Sequence, residues 1–299
     1  MNVVIWVQYD TVATRDKAKS PSLLKPAFAA LDKPKGIVNI LGVVESVAMP
    51  INQLNTIDKR DLNKYDYDLV LVTGHDVDIT PILAEAKELG LDADKFVLDR
   101  TVLIPGFTLE KYKALRQTDL SILSMGWWAG IAYHKLGLPE LSPTVGMYTS
   151  EEHFMNFLPE ARWHMKKDLH FERTEYNADL GISYPIFWLD GTQWFMNSFT
   201  NDADALETWN ARKELVNWSN VLVTMHTTSP AVLARFDCLP YAKKACFVPF
   251  ETELESGFYV DTAPYGGNLL RAAEGVATGE VAAYDVWDLL LYGKKTPLE

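Results

Sequence analysis

Two side chains stand where a proton could be moved. Asp190 closes the apolar run Tyr184–Leu189 and precedes Gly191, and His226 lies just past the expected strand Val221–Thr224. A carboxylate or an imidazole at the end of a strand can take the proton from an acceptor hydroxyl. Asp190 also reads as the side-chain acceptor of a turn between two hairpin strands, Tyr184–Leu189 and Trp194–Asn197. Arg212 lies on an expected helix, Asp204–Trp218, inside an apolar stripe made by Ala205, Leu206, Trp209 and Val216. A guanidinium on a buried face keeps its charge and needs a partner. That partner is either a structural carboxylate or the phosphate or carboxylate of a ligand. His75, in Gly74-His75-Asp76, follows the expected strand Tyr67–Thr73. It falls at the carboxyl end, where parallel sheets bind ligands; the other reading is a plain loop turn. His153, His164 and His170 are spaced by 11 and 6 residues, which matches no compact metal motif, and no metal site is expected. Ser124 and Ser142 lie outside any GxSxG pattern, so a hydrolase with a serine nucleophile has little support.

The stretch that would position these groups is Leu120–Met147. It opens as a short apolar run, Leu120–Leu123, and breaks at Ser124-Met125-Gly126. Trp127 and Trp128 follow, then a small-residue helix start through Ala129, Gly130 and Ala132. A strand, a glycine break and a helix put a helix N-terminus at the edge of a parallel sheet, with free backbone N–H groups and partial positive charge facing an anion. Trp127 or Trp128 would stack on a sugar or a base. A second unit of the same kind follows Val221–Thr224, where Met225-His226-Thr227-Thr228-Ser229 leads to a helix starting at Pro230.

The same stretch resembles a bacterial family of exopolysaccharide biosynthesis proteins, a domain of unknown function. The family signature runs Ser-Asn-Asn-Cys-Trp-Gly-Gly, then an aromatic helix, then Ser-Pro-Thr-Val-Gly. Ser124, Trp128 and Gly130 match the first block, and Ser142, Pro143, Thr144, Val145 and Gly146 match the second. Ala129 replaces one glycine, and Met125, Gly126 and Trp127 stand where the family has Asn, Asn and Cys. Chemistry resting on that amide or thiol is therefore not carried over. Tyr184-Pro185-Ile186 with Leu189-Asp190, then Trp209 with Arg212, and finally Phe236, Leu239-Pro240-Tyr241, Lys244 and Phe247 are similar to later blocks, over roughly 103–250. Asn197-Ser198-Phe199 stands where the family has His-Tyr. The resemblance implies work in capsule or exopolysaccharide synthesis. The expected activity is transfer of a sugar or substituent from a nucleotide- or phosphate-activated donor, with a nucleotide sugar or sugar phosphate as ligand. The alternative is a non-catalytic binding or regulatory module of the same pathway. Asp190 and His226 are the catalytic candidates. Ser124, Trp127, Trp128, Gly130, His134, Ser142, Thr144, Trp209, Arg212 and His75 are the ligand-binding ones.

The elements that must carry these residues alternate. Continuous or near-continuous apolar runs at Val3–Val7, Ile37–Glu45, Tyr67–Thr73 and Lys95–Leu98 read as buried parallel strands. Helical segments lie between them, Lys25–Leu31 and one capped by Thr80. Glu45, closing the second strand, could hold a ribose, but GxGxxG and P-loop patterns are absent and no cofactor is identified. Arg100–Phe107 reads as the connection between two domains, 1–105 and 106–299. The fold expected is α/β: two Rossmann-like three-layer subdomains with mostly parallel sheets. Thr149 and Glu152 fit a capping box, and Pro159 starts a further helix running to Lys167. The chain has 299 residues, 48% of them hydrophobic, nine tryptophans, and a net charge of −12. That charge argues against nucleic acid as partner. Two cysteines without a CxxC pair, no membrane-length apolar run and an N-terminus unlike a signal peptide lead to a cytoplasmic expectation.

Overall fold

Near-continuous apolar runs have no polar face to give to water, so they pair in parallel beneath covering helices. A computed structural model of the chain describes residues 1–8, 25–31, 38–45, 54–74, 76–178 and 181–298. It is α/β, and it divides into two compact units. The first comprises Met1–Lys113 with Lys135–Gly137, and the second Ala114–His134 with Leu138–Glu299.

The first unit is built on β1 (Asn2–Val7), β2 (Asn39–Glu45), β3 (Leu69–Thr73) and β4 (Phe96–Leu98), all parallel, in the order β2-β1-β3-β4. That order is the start of a doubly wound sheet. Helices α1 (Lys25–Leu31) and α2 (Thr80–Glu88) lie between strands in the chain. Helix α2 does not use Thr80 as its cap. Thr80 is already helical, and its N–H donates to Asp78 Oδ1 at 2.8 Å. The stretch expected as an interdomain connection starts instead with a short helix, α3 (Asp99–Val102), and α4 (Leu109–Arg116) follows it.

The second unit holds a parallel sheet of β5 (Ser121–Ser124), β9 (Val221–His226), β10 (Lys243–Val248) and β11 (Gly257–Tyr259), in the order β11-β10-β9-β5. It also holds an antiparallel sheet of β6 (His170–Asn177), β7 (Ile182–Leu189) and β8 (Thr192–Phe195). Strand β6 has no counterpart in the sequence reading. It is exposed along most of its length and so lacks the apolar alternation that marks a half-buried strand. Between β7 and β8 the chain turns in two residues, Asp190 (φ 46°) and Gly191 (φ 87°). An Asp-Gly pair is suited to this because both central residues of such a hairpin turn need positive φ.

Helices α5 (Trp128–Leu136), α6 (Glu151–Phe157), α7 (Ala161–His164), α8 (Asp202–Lys213), α9 (Pro230–Asp237), α10 (Leu269–Thr278) and α11 (Val286–Tyr292) complete the described elements. Three expectations shift here. Ser150, not Thr149, caps α6, its hydroxyl accepting from His153 N, while Thr149 Oγ1 donates to Gln193 O. A 3-10 turn at Leu158–Glu160 precedes the short α7 where one longer helix was expected. Helix α8 starts at its Asn201 cap and ends at Lys213, short of Trp218. The core under the antiparallel sheet is aromatic. Trp194 packs edge-on against Phe157 at 5.3 Å and Phe154 at 6.4 Å, and meets Trp209 at 5.7 Å. Among the described residues no helix is long and apolar enough to cross a membrane.

Candidate active site

Strands β5 and β9 lie side by side with Ser124 opposite Thr224, and β9 runs on to end at His226. After Ser124 the chain must leave the sheet, turn and start α5, and the turn is pinned at every step. Ser124 N donates to Thr144 Oγ1 at 3.0 Å, and Gly126 N donates to Ser124 Oγ at 3.3 Å. Met125 N donates to Thr224 O, and Thr149 N donates to Met125 O. Ser142 Oγ lies 3.1 Å from Thr144 Oγ1 and accepts from Thr144 N. The Ser-Pro-Thr-Val-Gly block is thus a brace that fixes the end of β5. Gly130 belongs to the same brace: a side chain there would sit 3.2 Å from Val145 Cγ1.

The pinned turn leaves a cavity of about 560 Å³ over the carboxyl ends of β5 and β9. Its walls come from Met125–Trp127, Tyr148–Thr149 with Glu151, Asn177, Asn197, His226–Thr228 and Leu269–Leu270. Trp127 is 38% exposed, and its Nε1 donates to Asn197 Oδ1 at 3.1 Å, which holds the indole upright at the pocket rim. Tyr148 stacks on Phe195 with ring centroids 4.7 Å apart and planes inclined by 8°. The His226 imidazole forms no hydrogen bond with any described residue. Burial holds its pKa below the usual 6.5, and the Glu151 carboxylate pulls weakly the other way. The ring is therefore neutral at pH 7, with a lone pair able to accept a proton. Glu151 opens α6, where a helix N-terminus favours a carboxylate.

Of the residues read from the sequence, the structure brings Trp127 and His226 to this pocket. Ser124 and Trp128 lie just behind it and border a smaller cavity. Trp128 is buried, donates from Nε1 to Ala273 O at 3.1 Å and stacks on Phe247. Trp209 is a fully buried core residue. Arg212 is half-buried and bonded to the Glu140 carboxylate and, at 3.2 Å, to the Val145 carbonyl. Its partner is the structural carboxylate, and burial lowers its pKa from the ordinary arginine value. Asp190 sits in the hairpin turn with Oδ2 2.9 Å from His164 Nδ1, and it does not line the pocket. His134 is exposed on α5 and does not line the pocket either. His75 lies outside the described residues. His153, one of the scattered histidines, accepts from Gln193 N at 2.6 Å. The sequence contains Asp-x-Asp tripeptides at 66–68, 76–78, 92–94 and 202–204, and none lines the pocket.

Sequence reasoning missed Glu151, Tyr148, Asn177 and Asn197. Two of them left a trace. Asn197 opens the triplet standing where the resembled family carries His-Tyr, and Glu151 sits between the two ends of the expected capping box.

Fold and site together define an α/β protein with a pocket at the carboxyl edge of a parallel sheet. The chain belongs to the family described as a domain of unknown function (DUF1919), whose model matches residues 99–275. That span includes every residue lining the pocket. An uncharacterized protein of Haemophilus influenzae is 24% identical over 154 residues, covering 50% of this chain and 71% of that protein.

Proposed function

We propose that the second unit is the working part of a glycan-assembly enzyme, which moves a sugar or a substituent from a nucleotide- or phosphate-activated donor onto a hydroxyl. The observation that carries this reading is the presence, around one pocket, of an uncommitted neutral imidazole and an accessible indole, His226 and Trp127. An indole face suits the apolar face of a sugar ring. His226 takes the proton of the acceptor hydroxyl as its oxygen attacks the donor's electrophilic centre. The bond to the leaving phosphate breaks, and the electron pair departs with the phosphate. Glu151 steadies the imidazolium that results.

Among the described residues, the pocket lining contains no lysine or arginine. The part of the substrate it receives is therefore uncharged and rich in hydroxyls, and donor phosphate would meet the backbone N–H groups at the start of α5. The resemblance of the blocks at 124–130 and 142–146 to exopolysaccharide biosynthesis proteins supports a glycan as substrate class. The thiols, Cys238 exposed and Cys246 buried and both unpaired, suit a reducing, cytoplasmic setting.

The missing cation also favours a second reading, a non-catalytic module that binds a neutral glycan in the same pathway. Nucleotide release separates the two. Incubated with a panel of nucleotide sugars and hexose acceptors, the protein should release free nucleotide, and His226→Gln should slow release by about 10²-fold or more. Equal release by the variant contradicts the base. Ligand-induced stabilisation without any release supports the binding module.

A further inference from the structure

Beneath the pocket lies a second, much smaller cavity, of about 10 Å³, which shares Gly126, Trp127, His226 and Leu270 with the larger one. It is the size of one water molecule. Two of its lining residues carry polar atoms with no hydrogen-bond partner: Thr224 Oγ1, in a residue that is 0% exposed, and Glu274 Oε1, on α10. A buried hydroxyl or carboxyl left unpaired is destabilising. Two such atoms on residues that line one water-sized space point to a shared partner. Ser124, a further hydroxyl-bearing residue there, already accepts from Gly126 N and keeps its own O–H to give.

We propose that Thr224, Glu274 and Ser124 form a hydroxyl-binding subsite at the floor of the pocket, which holds a water oxygen in the free protein and a single hydroxyl of the substrate when the pocket is filled. The subsite rests on the reading of the larger pocket as the substrate site, and it sets the chemistry of the group that enters first. That group is one CH–OH or CH₂–OH, because the cavity has no room for a phosphate, a carboxylate or an acetamido group. Thr224 gives and accepts one hydrogen bond, and Ser124 gives one. Burial pushes the Glu274 carboxyl upward, with Arg271 countering, and Oε1 can accept a hydrogen bond in either protonation state. A hydroxyl oxygen so held lies beside His226, which borders both cavities.

The test reads occupancy rather than turnover, so its failure is distinct from failure of the proposed reaction. A crystal structure of the full chain should show one ordered oxygen within hydrogen-bond reach of both Thr224 Oγ1 and Glu274 Oε1. Thr224→Val keeps the shape and removes the hydroxyl. It should lose that oxygen and lower Tm, because Glu274 is left with a poorer partner. After a glycerol soak, a hydroxyl of glycerol should replace the water in the wild-type chain and not in Thr224→Val. A dry cavity, with Tm raised or unchanged by Thr224→Val, would overturn the proposal. Water that stays in place under glycerol would reduce the site to a structural water and overturn its role as a ligand subsite.

Discussion

Each unit carries a parallel four-stranded sheet and a cavity, but the cavities lie at opposite ends of the strands. In the first unit a space of about 880 Å³ is lined by Met1, Asp68 and Lys95, the residues that lead into β1, β3 and β4. In the second unit the 560 Å³ pocket is lined by residues that leave β5 and β9. The larger cavity sits at the amino edge, where polar groups are already engaged: Asp68 Oδ2 accepts from Asn2 N at 2.7 Å, and Lys95 Nζ donates to Tyr67 O at 2.8 Å. Even at the carboxyl edge of the first sheet the described polar groups close on each other. Thr73 Oγ1 and Arg100 N both donate to Asp99 at 2.6 Å, and Arg100 Nη2 donates to Val77 O. At the carboxyl edge of the second sheet the His226 imidazole makes no hydrogen bond with any described residue. The proposed reading thus rests on an uncommitted strand-end group rather than on cavity volume.

Three substitutions and a titration bear on that contrast. His226→Gln should cost the most, the roughly 10²-fold loss of turnover given above, with thermal stability held. Thr73→Val in the first unit should do the reverse. It removes a donor from the buried Asp99 carboxylate, so urea unfolding should show a loss of about 1–3 kcal/mol, with turnover and ligand affinity unchanged. A drop in turnover there would break the comparison by making the first sheet's edge part of the site. Trp127→Ala should be milder, weakening ligand affinity by roughly 1 kcal/mol, about fivefold, with little change in Tm because the indole is already 38% exposed.

The smallest effect is on pH dependence. His226 has a folded pKa below 6.5, so as pH falls through 6.5 the unfolded chain takes up a proton before the folded one does. Stability therefore declines on the acid side, and the decline should be shallower in His226→Gln, measured by unfolding between pH 7 and pH 5. Turnover should hold below pH 6.5 and then fall as the folded imidazole is protonated.

Much of the fold was legible because its cause is local. Val3–Val7 and Val221–Val223 are apolar throughout, Asp190-Gly191 has the turn chemistry of a tight hairpin, and Pro230 behind Ser229 is a helix start. Strand β6 was not legible, because an exposed edge strand owes its pairing to β7 rather than to its own pattern. The site was legible in part. His226 stands at the end of its strand, and Trp127 follows the glycine break. Several residues of the recognised blocks make contacts within the fold: Thr144 accepts from Ser124 N, Trp209 is core, and Arg212 meets Glu140 across 72 residues of chain. Such pairings carry no short-range signal. Glu151 reaches the pocket from the start of α6 and Asn197 from the turn after β8, and only the folded sheets bring them together.

The central claim, that ligand enters at the carboxyl edge of the second sheet, is tested most directly by thermal shift with nucleotide sugars, nucleotides and sugar phosphates on three proteins. These are the wild-type chain, Thr228→Trp, which fills the pocket, and Lys95→Ala, which alters the cavity of the first unit. A ligand at a hundredfold excess over its Kd stabilises the folded state by about 2.7 kcal/mol. The account predicts a shift that survives in Lys95→Ala and disappears in Thr228→Trp. A shift lost in Lys95→Ala and kept in Thr228→Trp would contradict it.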